Sequence, residues 1–340
     1  MKTFFKKTLI LLMVTAMSVI SFTACNKKDD KSDTKNDTNT TETSDITIKV
    51  GSLKGPTSMG LVNLMAEDEA GTSDCDYDFT IYTQADEIVA EIVKGNLDIA
   101  TVPANISSVL YQKTEKGISV IDINTLGVLY IVESGDSIKN ISDLKGKTIY
   151  LTGKGTSPDF VLQYLLSENG LSTDDVTLEY KSEATEVAAL LAEDENAIGL
   201  LPQPFVTTAM MNNENLNIAL DLTKEWKNAS GDNLVTGVTI VRNEFLKDNA
   251  SLVKTFIKEH NESVQYGKEN LDETSERIEK YGIIKSAVAK QAYEYCNIVC
   301  IDGEDMKSAL SVYLNVLYDY EPSTVGGSLP DDNFYATVID

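Results

Sequence analysis

Residues 85–105, ADEIVAEIVKGNLDIATVPAN, carry the pattern that decides the architecture. Ile88, Val89, Ile92 and Val93 recur at helical spacing, so 85–95 reads as an amphipathic helix with one face turned to a core. Gly95 suits the left-handed residue that closes such a helix. Residues 98–102 follow as a short buried strand, and Pro103-Ala104-Asn105 starts a helix over 106–116. A strand at 46–51, a helix from Pro56 to about Asp68 and a strand at 79–83 precede it. Three β-α units in succession predict a mainly parallel sheet with right-handed crossovers.

The alternation resumes downstream. Two apolar runs between Val120 and Val132 are separated by Asn124-Thr125, and the later run is predicted to leave the first sheet. A helical turn and strand at 141–151, a helix at 158–169, a strand at 176–180, a helix at 185–193 and a strand at 197–201 come next. A helix at 205–211 and a strand at 216–220 complete the set. The chain then passes Trp226 and returns along 235–241. From Glu244 on the pattern is helical, over 247–267, 271–281, 285–295 and 305–318, and the tail 322–335 is predicted to be extended.

At the amino end, Lys2, Lys6 and Lys7 precede an apolar run from Thr8 to Ile20, and small residues lead to Cys25. That order predicts a secretory signal over residues 1–24. The run falls short of the roughly 20 apolar residues that a membrane span needs. Cys25 stands where a bacterial lipobox places the cysteine that takes a diacylglyceryl group. Residues 26–44 contain no apolar side chain and mix both charge signs, so 25–45 is predicted to be a lipidated, disordered tether. The expected location is the outer face of the cell membrane, lipid-anchored.

The formal charge of −24 becomes −27 once the three leader lysines are gone. Such an excess of carboxylates argues against nucleic acid as a partner. Arg242 and Arg277 are the only arginines, so a ligand held by several guanidinium forks is excluded. Cys75, Cys296 and Cys300 are odd in number and form no full disulfide framework. Cys296 and Cys300 are read as free thiols in preference to a bridge, because i, i+4 positions on a helix are too far apart. The single histidine, His260, excludes a zinc site built on two imidazoles. It lies among Lys258, Glu259 and Asn261, which predicts an exposed position. No catalytic residue, metal site or cofactor is expected.

Three segments share one form, a strand end followed by small or polar residues and a helix start. They are Lys54-Gly55-Pro56-Thr57-Ser58, Val102-Pro103-Ala104-Asn105 and Lys154-Gly155-Thr156-Ser157. Helix N-termini offer unpaired N–H donors and partial positive charge, and ligands of open α/β sheets gather outside the carboxyl ends of strands. Taken singly, each turn reads first as a plain helix cap, with glycines serving positive φ and lysines merely solvated. None has the spacing of a P-loop.

Several motifs together resemble a known family. Besides the lipobox and tether they are Gly95-Asn96-Leu97-Asp98-Ile99-Ala100, the GKGTSPDF turn at 153–160, Leu200-Leu201-Pro202-Gln203-Pro204-Phe205, and Arg242-Asn243-Glu244-Phe245 ahead of a helix. They resemble the substrate-binding lipoproteins of bacterial ABC importers, in the nitrate/sulfonate/taurine-type group that also includes thiamine-precursor binders. The resemblance covers residues 46–340. It implies an α/β fold of two lobes, of the periplasmic-binding-protein type, each a mainly parallel sheet flanked by helices. Residues 46–128 plus 237–340 would form one lobe and 129–236 the other. The ligand would be a small sulfonate, carboxylate or pyrimidine-like metabolite clamped between them. Implied contacts are Lys54, Thr57, Ser58, Met59, Pro103, Asn105, Thr152, Gly155, Thr156, Ser157 and Gln203, of which Met59 and Pro103 would cover the apolar part. That group commonly carries Glu where Gln203 stands. The implied partners are an ABC permease and its ATPase, with the binding protein a monomer. The same fold also hosts pyrimidine-synthase and menaquinone-pathway enzymes, and a lipoprotein sensor without a transporter is a third possibility.

Overall fold

The computed structural model describes residues 46–338. The leader, Cys25 and the tether lie outside the described residues. Among the described residues eleven strands, numbered in chain order, build two sheets. β1 (Thr47–Leu53), β2 (Asp76–Tyr82), β3 (Ile99–Pro103) and β4 (Ile118–Leu126) open the first. β5 (Leu129–Ser134), β6 (Thr148–Leu151), β7 (Thr177–Tyr180), β8 (Ile198–Pro202) and β9 (Leu216–Asp221) form the second. β10 (Val235–Arg242) and β11 (Ile298–Ile301) return to the first. The spatial orders are β11-β4-β10-β3-β1-β2 and β7-β6-β8-β5-β9.

Within each sheet most strands point the same way, as β-α units require. β1 pairs in parallel with β2 and β3, and β6 with β7 and β8. The neighbour pairing is nonetheless mixed, because β5 and β10 run against both their neighbours. These two strands directly follow the points where the chain passes between sheets, so each enters its sheet at the edge where the others end. The registers show the result. The start of β10 lies beside the ends of β3 and β4, with Gly237 opposite Pro103 and Val235 opposite Leu126. The start of β5 lies beside the ends of β8 and β9, with Leu129 opposite Pro202 and Tyr130 opposite Asp221. The carboxyl ends of both sheets therefore meet at the crossings, where open α/β folds gather their ligands.

The helix Ala85–Lys94 forms as its spacing dictates, with Ile88 and Ile92 buried and Gly95 left-handed at φ 75°. Other elements depart from expectation for traceable reasons. Asn124 and Thr125 do not break a strand but lie buried inside β4, where Asn124 Nδ2 donates to Thr239 Oγ1 at 3.2 Å. The break falls at Gly127-Val128 instead. The expected single helix from Pro56 is two, Pro56–Met59 and Val62–Glu69. Trp226 sits in a helix, Leu222–Ser230, whose first turn is capped by the Asp221 carboxylate. That indole is fully buried, with ring centroids 4.7 Å from Tyr164 and 6.0 Å from Tyr313. The tail is not extended: Pro322–Val325 and Asp332–Phe334 form 3-10 turns, and Phe334 is buried against Tyr111 at 5.1 Å. Cys75, Cys296 and Cys300 are free thiols.

His260 is the largest correction. It is completely buried in the helix Ala250–Glu269, with Nδ1 3.3 Å from Asp122 Oδ2. Its flanking residues are polar, yet Val253, Phe256, His260 and Val264 share one face at spacings of three and four, and that face packs inward.

Candidate functional site

A cavity of about 320 Å³ occupies the meeting place of the strand ends. The first sheet contributes Pro103 at the end of β3 with Asn105 and Ile106 of the helix Ala104–Lys113. The two crossings supply Val128 and Leu129 on one side and Leu234, Val235 and Thr236 on the other. The second sheet adds Pro202 from β8, and Thr156, Ser157, Pro158 and Val161 from the start of the helix Ser157–Glu168. Tyr313, from the helix Gly303–Tyr320, completes the wall. Among the described residues that line it, none carries a formal charge. Apolar side chains dominate, and polar atoms come from Asn105, Thr156, Ser157, Thr236 and Tyr313. Burial pushes the Tyr313 phenol up to about 12, with the nearby Ser157 hydroxyl pulling the other way. It is therefore a neutral donor at physiological pH.

Four expected residues, Pro103, Asn105, Thr156 and Ser157, come together here. Asn105 Nδ2 donates to Thr324 O at 3.2 Å, which fixes the amide at the rim. The Thr156 hydroxyl donates to Gly153 O at 2.5 Å. Thr152 and Gly155 lie in the same turn without lining the cavity. Gly155 has φ 70°, and its N–H donates to the buried Asp159 carboxylate at 2.8 Å. Asp159 also accepts from Gln163 Nε2 and Tyr180 OH, each at 2.8 Å, and so clamps the turn from behind. The Lys154 ammonium stands 5.3 Å from the centroid of the Tyr180 ring.

The first turn is placed otherwise. Lys54 is exposed, and the hydroxyls of Thr57 and Ser58 both donate to Leu53 O, at 2.8 and 2.5 Å. Ser58 Oγ also lies 2.7 Å from Ser52 Oγ, which in turn lies 2.8 Å from Thr101 Oγ1. Met59 packs in the core with Val62, Val264 and Ile278, so it cannot cover a ligand in this cavity. Gln203 is buried next to Pro202. Its Oε1 accepts from Thr207 Oγ1 at 2.8 Å, while Nε2 has no partner among the described residues. The wall residues that sequence reasoning missed are mainly Val128, Leu234, Val235 and Tyr313. The crossing residues could have been found by asking what lies at a strand reversal. Tyr313 gives no local signal, because its partner elements lie over 70 positions away in the chain.

The family model described as menaquinone biosynthesis matches residues 59–319. The chain belongs to that family. Members of the menaquinone-biosynthesis family are known relatives of the binding-protein fold named above, and the solved structures agree with that fold. The crystal structure of an ABC transporter from Parabacteroides distasonis superposes with TM-score 0.72 at 24% identity, covering 85% of this chain and 98% of that one. The periplasmic aliphatic sulphonate binding protein SsuA from Escherichia coli gives 0.65 at 14% identity, covering 83% and 90%. At such identities the shared property is the fold. Curated relatives from Brucella abortus and Brucella suis, each bearing the name "putative binding protein", are 24% identical over 206 residues. The match spans 61% of this chain and 62% of their length.

Proposed function

We propose that this family member is an extracytoplasmic binding protein that clamps a small, largely apolar metabolite between its two sheets and delivers it to the permease of an ABC importer. The observation that carries the reading is the cavity itself, built from both sheets and walled by both crossings. Residues 46–128 plus 237–340 and 129–236 then act as two lobes, hinged at the crossings. Differential contact with a ligand in the closed arrangement is what shifts the population toward closure. The uncharged lining favours a neutral or weakly polar ligand over a multiply charged anion. Asn105, Thr156, Ser157 and Tyr313 are the donors and acceptors for its polar edge. The names of the SsuA and Brucella proteins support a binding role, and the residue pattern of 1–25 supports lipid anchoring outside the cytoplasm.

Native mass spectrometry of protein purified from cells should find one bound small molecule. Adding that molecule to stripped protein should lower the radius of gyration in X-ray scattering. A tightly held ligand that leaves the scattering unchanged would contradict the clamp. For the anchor, Cys25→Ala should move the protein from the membrane fraction to the medium.

The family description favours a second reading, an enzyme acting on the same bound metabolite. Incubation discriminates: a binding protein returns the ligand at unchanged mass, whereas an enzyme converts it.

A further inference from the structure

The fold brings together three residues that the cavity does not use. Asp122 projects from β4, His260 from the helix Ala250–Glu269 and Cys300 from β11. One carboxylate oxygen, one imidazole nitrogen and the thiol sulfur all lie within 4.8 Å of one another. Asp122 and His260 are fully buried, and Cys300 is half-buried. The contact of 3.3 Å between His260 Nδ1 and Asp122 Oδ2 is long for a charge-assisted hydrogen bond, which settles near 2.7–2.9 Å. It matches the edge of about 3.3 Å that a tetrahedral ion with bonds of about 2.0–2.1 Å to nitrogen and oxygen would span.

The surroundings fit a coordination site. The other Asp122 oxygen accepts from Thr239 Oγ1 at 2.7 Å, the kind of supporting bond that orients a ligating carboxylate. His260 Nε2, on the Gly60 side of the ring, has no hydrogen-bond partner among the described residues, so no bond there fixes which ring nitrogen carries the proton. The Cys300 thiol donates to Ile257 O at 3.8 Å, and Ile257 also lines a cavity of about 180 Å³ with Ile121, Lys254 and Asp302. We propose that Asp122, His260 and Cys300 form a binding site for a zinc-like divalent cation. One oxygen, one nitrogen and one sulfur donor suit a borderline-soft ion, and three protein donors leave a fourth position open. The two-imidazole rule applied to the sequence does not reach such a site. This inference is independent of what the main cavity holds.

The test uses the full chain after chelator treatment, titrated with Zn²⁺ and Co²⁺ at high ionic strength to suppress weak uptake by surface carboxylates. Wild type should take up one equivalent of Co²⁺ with a near-ultraviolet thiolate-to-metal band, and Zn²⁺ should raise the melting temperature. Cys300→Ser should abolish the band and weaken Zn²⁺ at least about tenfold, and Thr239→Val should weaken it about 10–100-fold. Cys75→Ser should change neither. Circular dichroism confirms that each variant folds. Failure of the wild-type chain to bind an equivalent, or a band that survives Cys300→Ser, would overturn the proposal and leave a buried polar cluster.

Discussion

Two turns of nearly the same sequence, Lys54-Gly55-Pro56-Thr57-Ser58 and Lys154-Gly155-Thr156-Ser157, have opposite fates. In the first, Thr57 and Ser58 are buried and spend their hydroxyls on Leu53 O, ahead of a helix of only four residues. In the second, Thr156 stays exposed at the head of a 12-residue helix, and both Thr156 and Ser157 border the cavity. The local signals are equivalent. What differs is the surrounding packing: Ser52 and Thr101 draw the first turn inward through a chain of hydroxyls, whereas Asp159 holds the second from beneath and leaves its outer face free. A strand–turn–helix pattern thus marks where a cavity can form, and tertiary packing decides which of several such turns borders it.

The largest effect should come from cutting the support of the second turn. Asp159→Ala leaves Gly155 N–H, Gln163 Nε2 and Tyr180 OH without their acceptor, each bond to a charged group being worth about 1.5–3 kcal/mol. Urea unfolding should show a loss of about 3 kcal/mol or more, with ligand affinity falling too. A wild-type midpoint would mean that the turn holds itself. Next comes Ser58→Ala, which removes a buried hydroxyl while Thr57 Oγ1 still serves Leu53 O and Thr101 Oγ1 still serves Ser52 Oγ, and should cost about 0.5–1.5 kcal/mol by the same measurement. Here calorimetry should find ligand affinity unchanged, and a weakened affinity would erase the contrast between the turns. The smallest effect on stability belongs to Thr156→Ala, at most about 1 kcal/mol. Its ligand affinity should fall about threefold to tenfold, as for one lost hydrogen bond. Unchanged affinity there would make Thr156 a plain cap like its counterpart.

The regular elements were legible because their cause is local. The stripe of Ile88 and Ile92, the stop at Gly95 and the apolar run of β3 are each written within one or two turns of chain. The site was half legible for the same reason. Pro103, Asn105, Thr156 and Ser157 follow strand ends, and a strand end can be read. Val235 and Tyr313 reach the cavity only because β10 reverses beside β3 and the helix Gly303–Tyr320 packs against that junction. The expected exposure of His260 fails because its immediate neighbours are polar while its helical face packs inward, and the expected break at Asn124 fails because nothing nearby in the chain announces Thr239 as its partner.

Trp226 is the only tryptophan in the chain, and its ring centroid lies 6.0 Å from that of Tyr313, whose side chain forms part of the cavity wall. The molecule therefore carries one indole emitter, a single aromatic ring away from the cavity. An occupant that displaces Tyr313 changes the brightness or colour of that emission, so the unlabelled protein serves as its own optical gauge of filling.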